Sequence, residues 1–395
     1  MKIYGKVINN LLKIIYFDSL FAYGENIQRV DTLEGLKNET VLIESEQLNS
    51  EIIDKLKNGN NKIIAFDIND NSCFCYSYSE NPKILDIDLI FKFAGIQKEY
   101  SEVETSISSD CSYGLKPSLF MNEVNQSLYS ELKSKNKLFS LPYVLWEDKQ
   151  VPIISWKDRK KLVLVRGGHH YNRVHLLFNL IRKNKVDGNS SFNTYGYINQ
   201  YCDSCKKMMS KGKMTLEKVK ETESSCRMPN PIPSEYFQSR GDWNNQCPSR
   251  YFEMAEVMGI NREMVENVLN GNYLSGEEFY KTLSNYTMYS DLKWIFSIYI
   301  PPRFWEAASA RTVNLYSNRT KNQIYFPELI ESEHYVSFKE DFSNLEEACD
   351  LSEQKYKEIS ENCYALYDYW IRGGKYKLST NLMDHILNKI KEIEG

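Results

Sequence analysis

The chain has 395 residues, a formal net charge of −4 and a sequence pI near 5.9, with 42% hydrophobic and 26% charged residues. This is a globular composition long enough for two or three domains, and the lack of a basic excess disfavours nucleic acid as a partner. No apolar run approaches the roughly 18 residues that span a bilayer. Because no secretory signal opens the chain, we expect a cytoplasmic protein whose nine cysteines are reduced.

Apolar, β-branched runs in the first half predict strands separated by helices. The predicted strands cover residues 11–17, 40–44 and 62–67, with further apolar segments at 84–93 and 139–145. Helices are predicted over 45–58, where the apolar residues fall on one stripe, and near 122–134. Strands that alternate with helices favour a parallel, doubly wound α/β sheet.

A second unit of the same kind begins at residue 160. A strand at 160–165 is followed by a glycine pair, an amphipathic helix at 172–183 and a further strand and turn at 192–196. This order is typical of a Rossmann-like half. We therefore predict three regions: an N-terminal domain over 1–155, a C-terminal domain over 156–375 with an insertion at about 200–250, and a helix at 376–395 that crosses back to the first domain.

The turn after the 160–165 strand is the first candidate binding site. Gly167 and Gly168 would let the backbone approach a phosphate, and the following helix N-terminus carries partial positive charge. Arg166 and Arg173 add full charges, and Tyr195 lies in the next strand and turn. This combination predicts a site for a nucleoside diphosphate that needs no metal; a tight turn with an exposed arginine is the alternative.

The second candidate site lies in residues 297–348. Two prolines end an apolar run, and the spacing of the apolar residues predicts a short helix over 303–311. Arg303 and Glu306 share one face of that helix, so the first could bind a diphosphate and the second a sugar hydroxyl. A strand at 312–316 leads into the polar loop that begins with Ser317 and Asn318, and strand 334–338 follows. Ser343 is predicted to cap the next helix.

Two segments of this region, PPRFWEAASARTVNLY and SEHYVSFKEDFSNLEE, resemble the nucleotide-binding half of GT-B glycosyltransferases of the group-1 kind, over about 50 residues. Where that family has a glycine after its EA-A run, this chain has Ser309, Ala310 and Arg311. The resemblance implies two Rossmann-like domains with an interdomain cleft, a nucleotide-sugar donor, no metal cofactor and a hexosyl or related transfer. It further implies a bacterial surface-glycan or lipid-linked acceptor, and peripheral association with the inner face of the membrane.

Transfer with inversion needs a general base that takes the proton of the acceptor hydroxyl. Asp18 and Asp67 each end a predicted strand of the N-terminal half, and we predict Asp18 with Glu25 as the first choice. His170 in the second unit is a further catalytic candidate, because it could contact phosphate or acceptor.

Four cysteines in the 200–250 region leave an alternative open. Cys202 and Cys205 form a CxxC pair that Cys226 and Cys247 could complete as a structural zinc site, although free thiols in a loop explain them equally well. Two other functions therefore stand beside the transferase: a non-catalytic nucleotide- or sugar-binding protein on the same scaffold, and a zinc-bearing interaction protein.

Overall fold

The computed structural model describes most of the two predicted units but leaves gaps, among them the insertion. The described residues are 1–4, 11–23, 27–67, 82–93, 96–97, 123–145, 149, 151–168, 171–193, 255–256, 258–261, 263–264, 274, 276–291, 300–339 and 341–394. Within these residues, the helices are all too short or too polar to cross a membrane.

The first unit is a six-stranded parallel sheet with strand order β2-β1-β3-β4-β5-β7. Its strands are β1 (Lys2–Tyr4), β2 (Gln28–Val30), β3 (Thr40–Glu44), β4 (Lys62–Asp67), β5 (Leu89–Lys92) and β7 (Leu138–Ser140). The predictions for β3 and β4 are confirmed to the residue. Each of these two strands is buried on both faces, as their continuous apolar sequence requires.

The predicted strand at 11–17 is wrong, because those residues begin helix α1 (Leu11–Tyr23). Ile15, Tyr16, Phe17 and Leu20 of this helix are all buried. A helix that is apolar on most sides cannot be told from a buried strand by its sequence period. The first strand is instead the much shorter β1, which precedes it.

Helices cover both faces of the first sheet. On one face lie α2 (Ser50–Asn58) and α3 (Glu123–Ser134), which pack on Val41 and Ile43. On the other face, α1 and the last helix of the chain, α9 (Thr380–Glu394), pack on Leu42. The alternation along β3 is the period-two pattern of a strand whose two faces are both covered.

The second unit is a five-stranded parallel sheet with strand order β13-β11-β10-β8-β9. Its strands are β8 (Lys160–Gly168), β9 (Ser191–Asn193), β10 (Tyr286–Ser290), β11 (Val313–Ser317) and β13 (Val336–Phe338). The central strand, β10, was not predicted from the sequence. The predicted α/β class with two Rossmann-like sheets is confirmed, whereas the exact domain boundaries stay a prediction.

The second sheet is also covered on both faces. One core contains α4 (Tyr171–Arg182), α7 (Leu345–Cys349) and α8 (Glu353–Leu366). The other contains α5 (Gly276–Ser284) and α6 (Pro302–Ser309). The predicted cap at Ser343 is wrong, since Asn344 precedes α7 and its side chain accepts a hydrogen bond from the Lys339 amide instead.

The described residues of the two units meet at several places, two of which involve strand pairing and aromatic stacking. Strand β6 (Ile96–Gln97) pairs antiparallel with β12 (Gln323–Ile324). An aromatic cluster lies at the second place, where His385 of α9 stacks on Phe326 with ring centroids 4.1 Å apart and Phe139 of β7 lies 5.6 Å from Phe326. The last helix therefore joins the end of the chain to the first sheet through apolar contacts.

Candidate functional site

The carboxyl edges of the two sheets lie at the same junction. Strand β6 begins four residues after β5 ends, and β12 begins six residues after β11 ends. Because β6 and β12 pair with each other, with Gln323 opposite Gln97, the chain leaves both sheets toward one region. Ligands of parallel α/β sheets bind outside the carboxyl ends of the strands, so a ligand of this fold is expected at the junction.

Arg303 is the centre of a charged cluster at the edge of the second sheet. It lies in the first turn of α6, which begins with Pro302 after Pro301 in the N-cap position. Its Nε is 3.8 Å from Oδ2 of Asp291, the residue that directly follows β10, and its guanidinium lies 4.6 Å from the Phe279 ring. The arginine is therefore held in place by a carboxylate and an aromatic face.

The electrostatics of the cluster keep Arg303 charged. Burial disfavours its charged form, but Tyr289, Asp291 and Glu306 together outweigh that effect and raise the pKa of Arg303. For Glu306, the effect of burial on the pKa outweighs that of the neighbouring positive charge. Burial raises the pKa of its carboxyl group, and nearby Asp291 raises it further, although Arg303 and a hydrogen bond with Tyr280 lower it.

One carboxylate oxygen of this cluster can accept a further hydrogen bond. Oε2 of Glu306 is buried and has no hydrogen-bond partner within the part of the chain that the structure describes. A buried carboxylate oxygen normally accepts hydrogen bonds, because leaving it unpaired costs about 1–3 kcal/mol or more. Glu306 could therefore accept a hydroxyl donor at the same place where Arg303 presents positive charge.

Arg166 joins this cluster from β8, the strand next to β10. It is 9% exposed, and its backbone oxygen accepts a hydrogen bond of 3.5 Å from the Tyr289 hydroxyl. Burial lowers the pKa of Arg166, and the neighbouring charge of Arg303 lowers it further. The structure thus brings together two arginines that are 137 positions apart in the sequence.

The sequence predicted a turn at the glycine pair, but both glycines lie in a strand. Gly167 and Gly168 are the last residues of β8, where they pair with Phe192 and Asn193 of β9. The strand extends further than its apolar run because β9 provides hydrogen-bond partners, which the sequence cannot show. Arg173 lies in the first turn of α4, and its side chain lies outside the described residues.

The loop after β11 lies beside the cluster, since β11 is the other neighbour of β10. Ser317 ends the strand fully buried, and Asn318 is half-buried with an unpartnered Oδ1 among the described residues. Arg311, which stands near the glycine position of the family pattern, has a φ of 51°. This is the left-handed conformation that glycine adopts most readily at the end of a helix.

The predicted base Asp18 does not end a strand. It is exposed in the middle of α1. Asp67 does end β4, but it is fully buried, and its Oδ2 lies 3.3 Å from Nζ of the fully buried Lys92 at the end of β5. The structure therefore holds Asp67 in an ion pair within the sheet rather than at its surface.

Several other predicted residues lie outside the described part of the chain, so their roles stay predictions. These are Glu25, His170, Tyr195 and the four cysteines Cys202, Cys205, Cys226 and Cys247. Across the described ranges, His, Cys, Asp and Glu side chains form no group of three or more that could hold a metal ion.

Sequence reasoning missed the partners that organise the cluster. Tyr289 belongs to β10, Asp291 directly follows it, and Tyr280 and Phe279 belong to α5; neither element was predicted. The segment YTMYSD at 286–291, a β-rich run that ends in an acid, was the available signal. A cavity of about 340 Å³ at the opposite edge of the second sheet was also not predicted from the sequence. It is lined by Leu177, Ile181 and Asp187 among others.

Comparison with known proteins shows only distant likeness. No family model and no curated protein matches the chain. It is similar to the pneumococcal O-GlcNAc transferase GtfA in complex with UDP and GlcNAc, at 10% identity over 90% of this chain and 57% of that chain, with a TM-score of 0.41. It is also similar to accessory secretory protein 1, 2 and 3 of Streptococcus pneumoniae, at 10% identity over 97% of this chain and 57% of that chain, with a TM-score of 0.38.

A third solved structure, a glycosyltransferase from Rickettsia africae, matches at 9% identity over 98% of this chain and 83% of that chain, with a TM-score of 0.40. The chain therefore spans 57% of the length of the first two structures. At these scores the likenesses say nothing about activity, which has to be inferred from the residues of the two sheets themselves.

Proposed function

We propose that this chain is a glycosyltransferase that binds a nucleotide sugar at the carboxyl edge of its second sheet. The observation that supports this most is the pair of arginines at that edge, Arg166 and Arg303. Burial lowers the pKa of Arg166, and Arg303 lies near enough for its charge to lower that pKa further. Tyr289 links the two, because its hydroxyl donates to the backbone oxygen of Arg166 and its side chain hydrogen-bonds to that of Arg303. The carboxyl edge of the first sheet lies at the same junction, where a surface-glycan or lipid-linked acceptor would bind.

Each residue of the cluster has a defined part in the proposed reaction. The bond between the sugar C1 and the diphosphate oxygen breaks, and its electron pair leaves with the nucleoside diphosphate. The acceptor oxygen forms the new bond to C1 and loses its proton to a base. Arg166 and Arg303 stabilise the charge on the departing diphosphate, and Glu306 accepts hydroxyl donors of the nucleoside ribose or the sugar. The base stays a prediction among Asp18, Glu25 and His170.

The binding step is tested by calorimetric titration of UDP, GDP and ADP into the wild-type protein and Arg303→Lys. Lysine keeps the charge but loses the fork that binds two phosphate oxygens at once. We expect one diphosphate to bind the wild type and to bind the variant about 10- to 100-fold more weakly, the value of one charge-assisted hydrogen bond. No binding of any diphosphate to the wild type would contradict the proposal.

Arg311 provides a matched control just beyond the other end of α6. Like Arg303 it pairs with a carboxylate, at 2.9 Å from Glu361, and stacks on an aromatic ring, at 3.8 Å from Tyr364. Arg311→Lys should therefore leave diphosphate binding unchanged. Equal weakening by both substitutions would show that the effect comes from the helix as a whole and not from the site.

A non-catalytic nucleotide-binding protein is the second candidate. It is favoured by the positions of the carboxylates, which do not supply an evident catalytic base. Asp67 is bound by Lys92, Asp18 lies on an exposed helix face, and the charge of Arg303 is already shared by Asp291 and Glu306. Hydrolysis of a bound UDP- or GDP-sugar in the absence of acceptor separates the two functions. A transferase releases free sugar slowly, whereas a binding protein returns the donor intact.

A further inference from the structure

The segment that joins β11 to β12 contains two deeply buried polar side chains. It is a short 3₁₀ helix, Asn318–Asn322, followed by Gln323 at the start of β12. Gln323 and Thr320 point inward, since they are 3% and 1% exposed, whereas Lys321 between them is exposed. Polar side chains buried this deeply normally have hydrogen-bond partners inside the fold.

Neither of these side chains has such a partner. The Thr320 hydroxyl and both polar atoms of the Gln323 amide, Nε2 and Oε1, are buried and make no hydrogen bond to any residue that the structure describes. The amide can donate two hydrogen bonds and accept two, and the hydroxyl can donate and accept. Leaving these groups unpaired destabilises the folded chain. A ligand that supplies the missing partners would explain why this arrangement is present.

The segment lies between the carboxyl edges of the two sheets. At one end, β11 is the neighbour of β10, and the Ser290 hydroxyl donates to the Leu315 oxygen at 2.8 Å. Asp291 of the charged cluster directly follows that serine. At the other end, Gln323 is paired with Gln97 of the first unit. A group bound at this segment would therefore lie between the charged cluster and the first sheet.

We propose that Gln323 and Thr320 bind the sugar that is transferred and select a donor whose sugar has free hydroxyl groups on neighbouring carbons. The inference rests on the proposed transferase function, in which the sugar lies between the departing diphosphate and the acceptor. Neighbouring hydroxyls suit the Gln323 amide, because one can donate to Oε1 while the other accepts from Nε2. Both side chains are uncharged, which fits a sugar better than a phosphate group.

Calorimetric titrations with nucleotide sugars and their free diphosphates separate contacts to the sugar from contacts to the rest of the donor. The probes are UDP-glucose, GDP-mannose and ADP-glucose, each beside its diphosphate. Gln323→Leu and Thr320→Val nearly keep the size of the side chain and remove its polar atoms. We expect these variants to bind the preferred nucleotide sugar about 25-fold and about 5-fold more weakly, for two lost hydrogen bonds and one, with diphosphate binding unchanged.

Deoxy analogues of the preferred donor test the requirement for neighbouring hydroxyls. Of the analogues that lack the hydroxyl at C2, C3 or C4 of the sugar, at least one should bind the wild type several-fold more weakly than the parent donor. Gln323→Leu should no longer distinguish that analogue from the parent, because the group that contacts the hydroxyl is absent. Equal binding of all the analogues to the wild type would overturn the proposal.

Stability without ligand gives a readout that a structural role would move in the opposite direction. Because the apolar side chains remove unpaired buried atoms, Gln323→Leu and Thr320→Val should melt at or above the wild-type temperature. The matched control is Thr312→Val. Thr312 is also 1% exposed, just before β11, but its hydroxyl donates to the Leu283 oxygen and accepts from Arg159, both at 3.0 Å. This variant should melt lower and bind every probe like the wild type.

The possible results separate this inference from the function on which it rests. No binding of any diphosphate to the wild type would refute both. Diphosphate binding with an unchanged affinity of both variants for the nucleotide sugar would refute only the role of Gln323 and Thr320. Equal weakening of diphosphate and nucleotide sugar would also overturn it, because the segment would then contact the nucleoside or the phosphates. A lower melting temperature of both variants would show that the fold itself uses these groups.

Discussion

Replacing Arg303 by alanine should destabilise the fold, and the reason lies in the two carboxylates beside it. Asp291 and Glu306 both stabilise the charge of Arg303, and Asp291 already raises the pKa of Glu306. Without the guanidinium, the repulsion between these two acids is opposed only by weaker interactions such as that of Lys149 with Glu306. The substitution therefore removes the attraction between Arg303 and the two carboxylates, and it leaves most of the repulsion between Asp291 and Glu306 uncompensated.

The magnitude follows from how far the pair is buried. Breaking a fully buried ion pair by removing one partner costs about 3–5 kcal/mol, and an exposed pair about 0–1 kcal/mol. The side chain of Arg303 is 28% exposed and that of Asp291 is 9% exposed, so the pair lies between these limits. We expect Arg303→Ala to lower the free energy of unfolding by about 2 kcal/mol, or the melting temperature by about 4–8 °C.

The loss should depend on pH with a definite sign. The pKa of Glu306 is raised in the folded protein, so the folded state holds the proton more tightly than the unfolded chain does. Such a group favours folding most at low pH, and the advantage is lost as the pH rises through the folded pKa. Removing Arg303 raises that pKa further. The difference between Arg303→Ala and the wild type should therefore shrink as the pH falls from 8 toward 5.

Urea denaturation at pH 8 and pH 5 checks this reasoning in a double-mutant cycle. The four proteins are the wild type, Arg303→Ala, Glu306→Gln and the double variant. Glu306→Gln should recover more than half of the stability lost in Arg303→Ala, because it removes the repulsion with Asp291 while its amide oxygen can still accept a bond from Tyr280. Strictly additive effects, or an equal loss at both pH values, would refute the coupling.

Three further predictions concern other parts of the fold. Lys92→Met should destabilise the first sheet by about 3–5 kcal/mol by leaving Asp67 buried without its cation, and adding Asp67→Leu should restore most of that loss in a denaturation experiment. His175 of α4 packs its ring edge-on against Phe342, and burial lowers its pKa to about 4. Stability should therefore fall between pH 6.5 and 4 by up to about 3 kcal/mol, and His175→Phe should flatten that part of the stability profile. Arg311→Gly should change stability by less than about 1 kcal/mol, because relief of the positive φ offsets the lost ion pair, whereas Arg311→Ala should cost more when both are measured by thermal melting.

The sequence by itself determined the class of the fold and most of its elements. Strands β3 and β4 follow directly from continuous apolar, β-branched runs, and α6 follows from the spacing of Phe304, Ala307 and Ala308. These signals are local, since a residue's side-chain type decides whether it fits a buried strand or one face of a helix. The sequence also pointed to Arg166, Arg303 and Glu306 individually.

Tertiary structure alone decided which of these residues meet. Arg166 and Arg303 share a site because β8 and β10 are neighbours, and Asp291 takes part because β10 ends there. Burial and charge pairing then place Asp67 with Lys92, and no local sequence pattern indicates that pair. Distances between residues far apart in the chain depend on strand order and packing, and these are properties of the whole fold rather than of any local pattern.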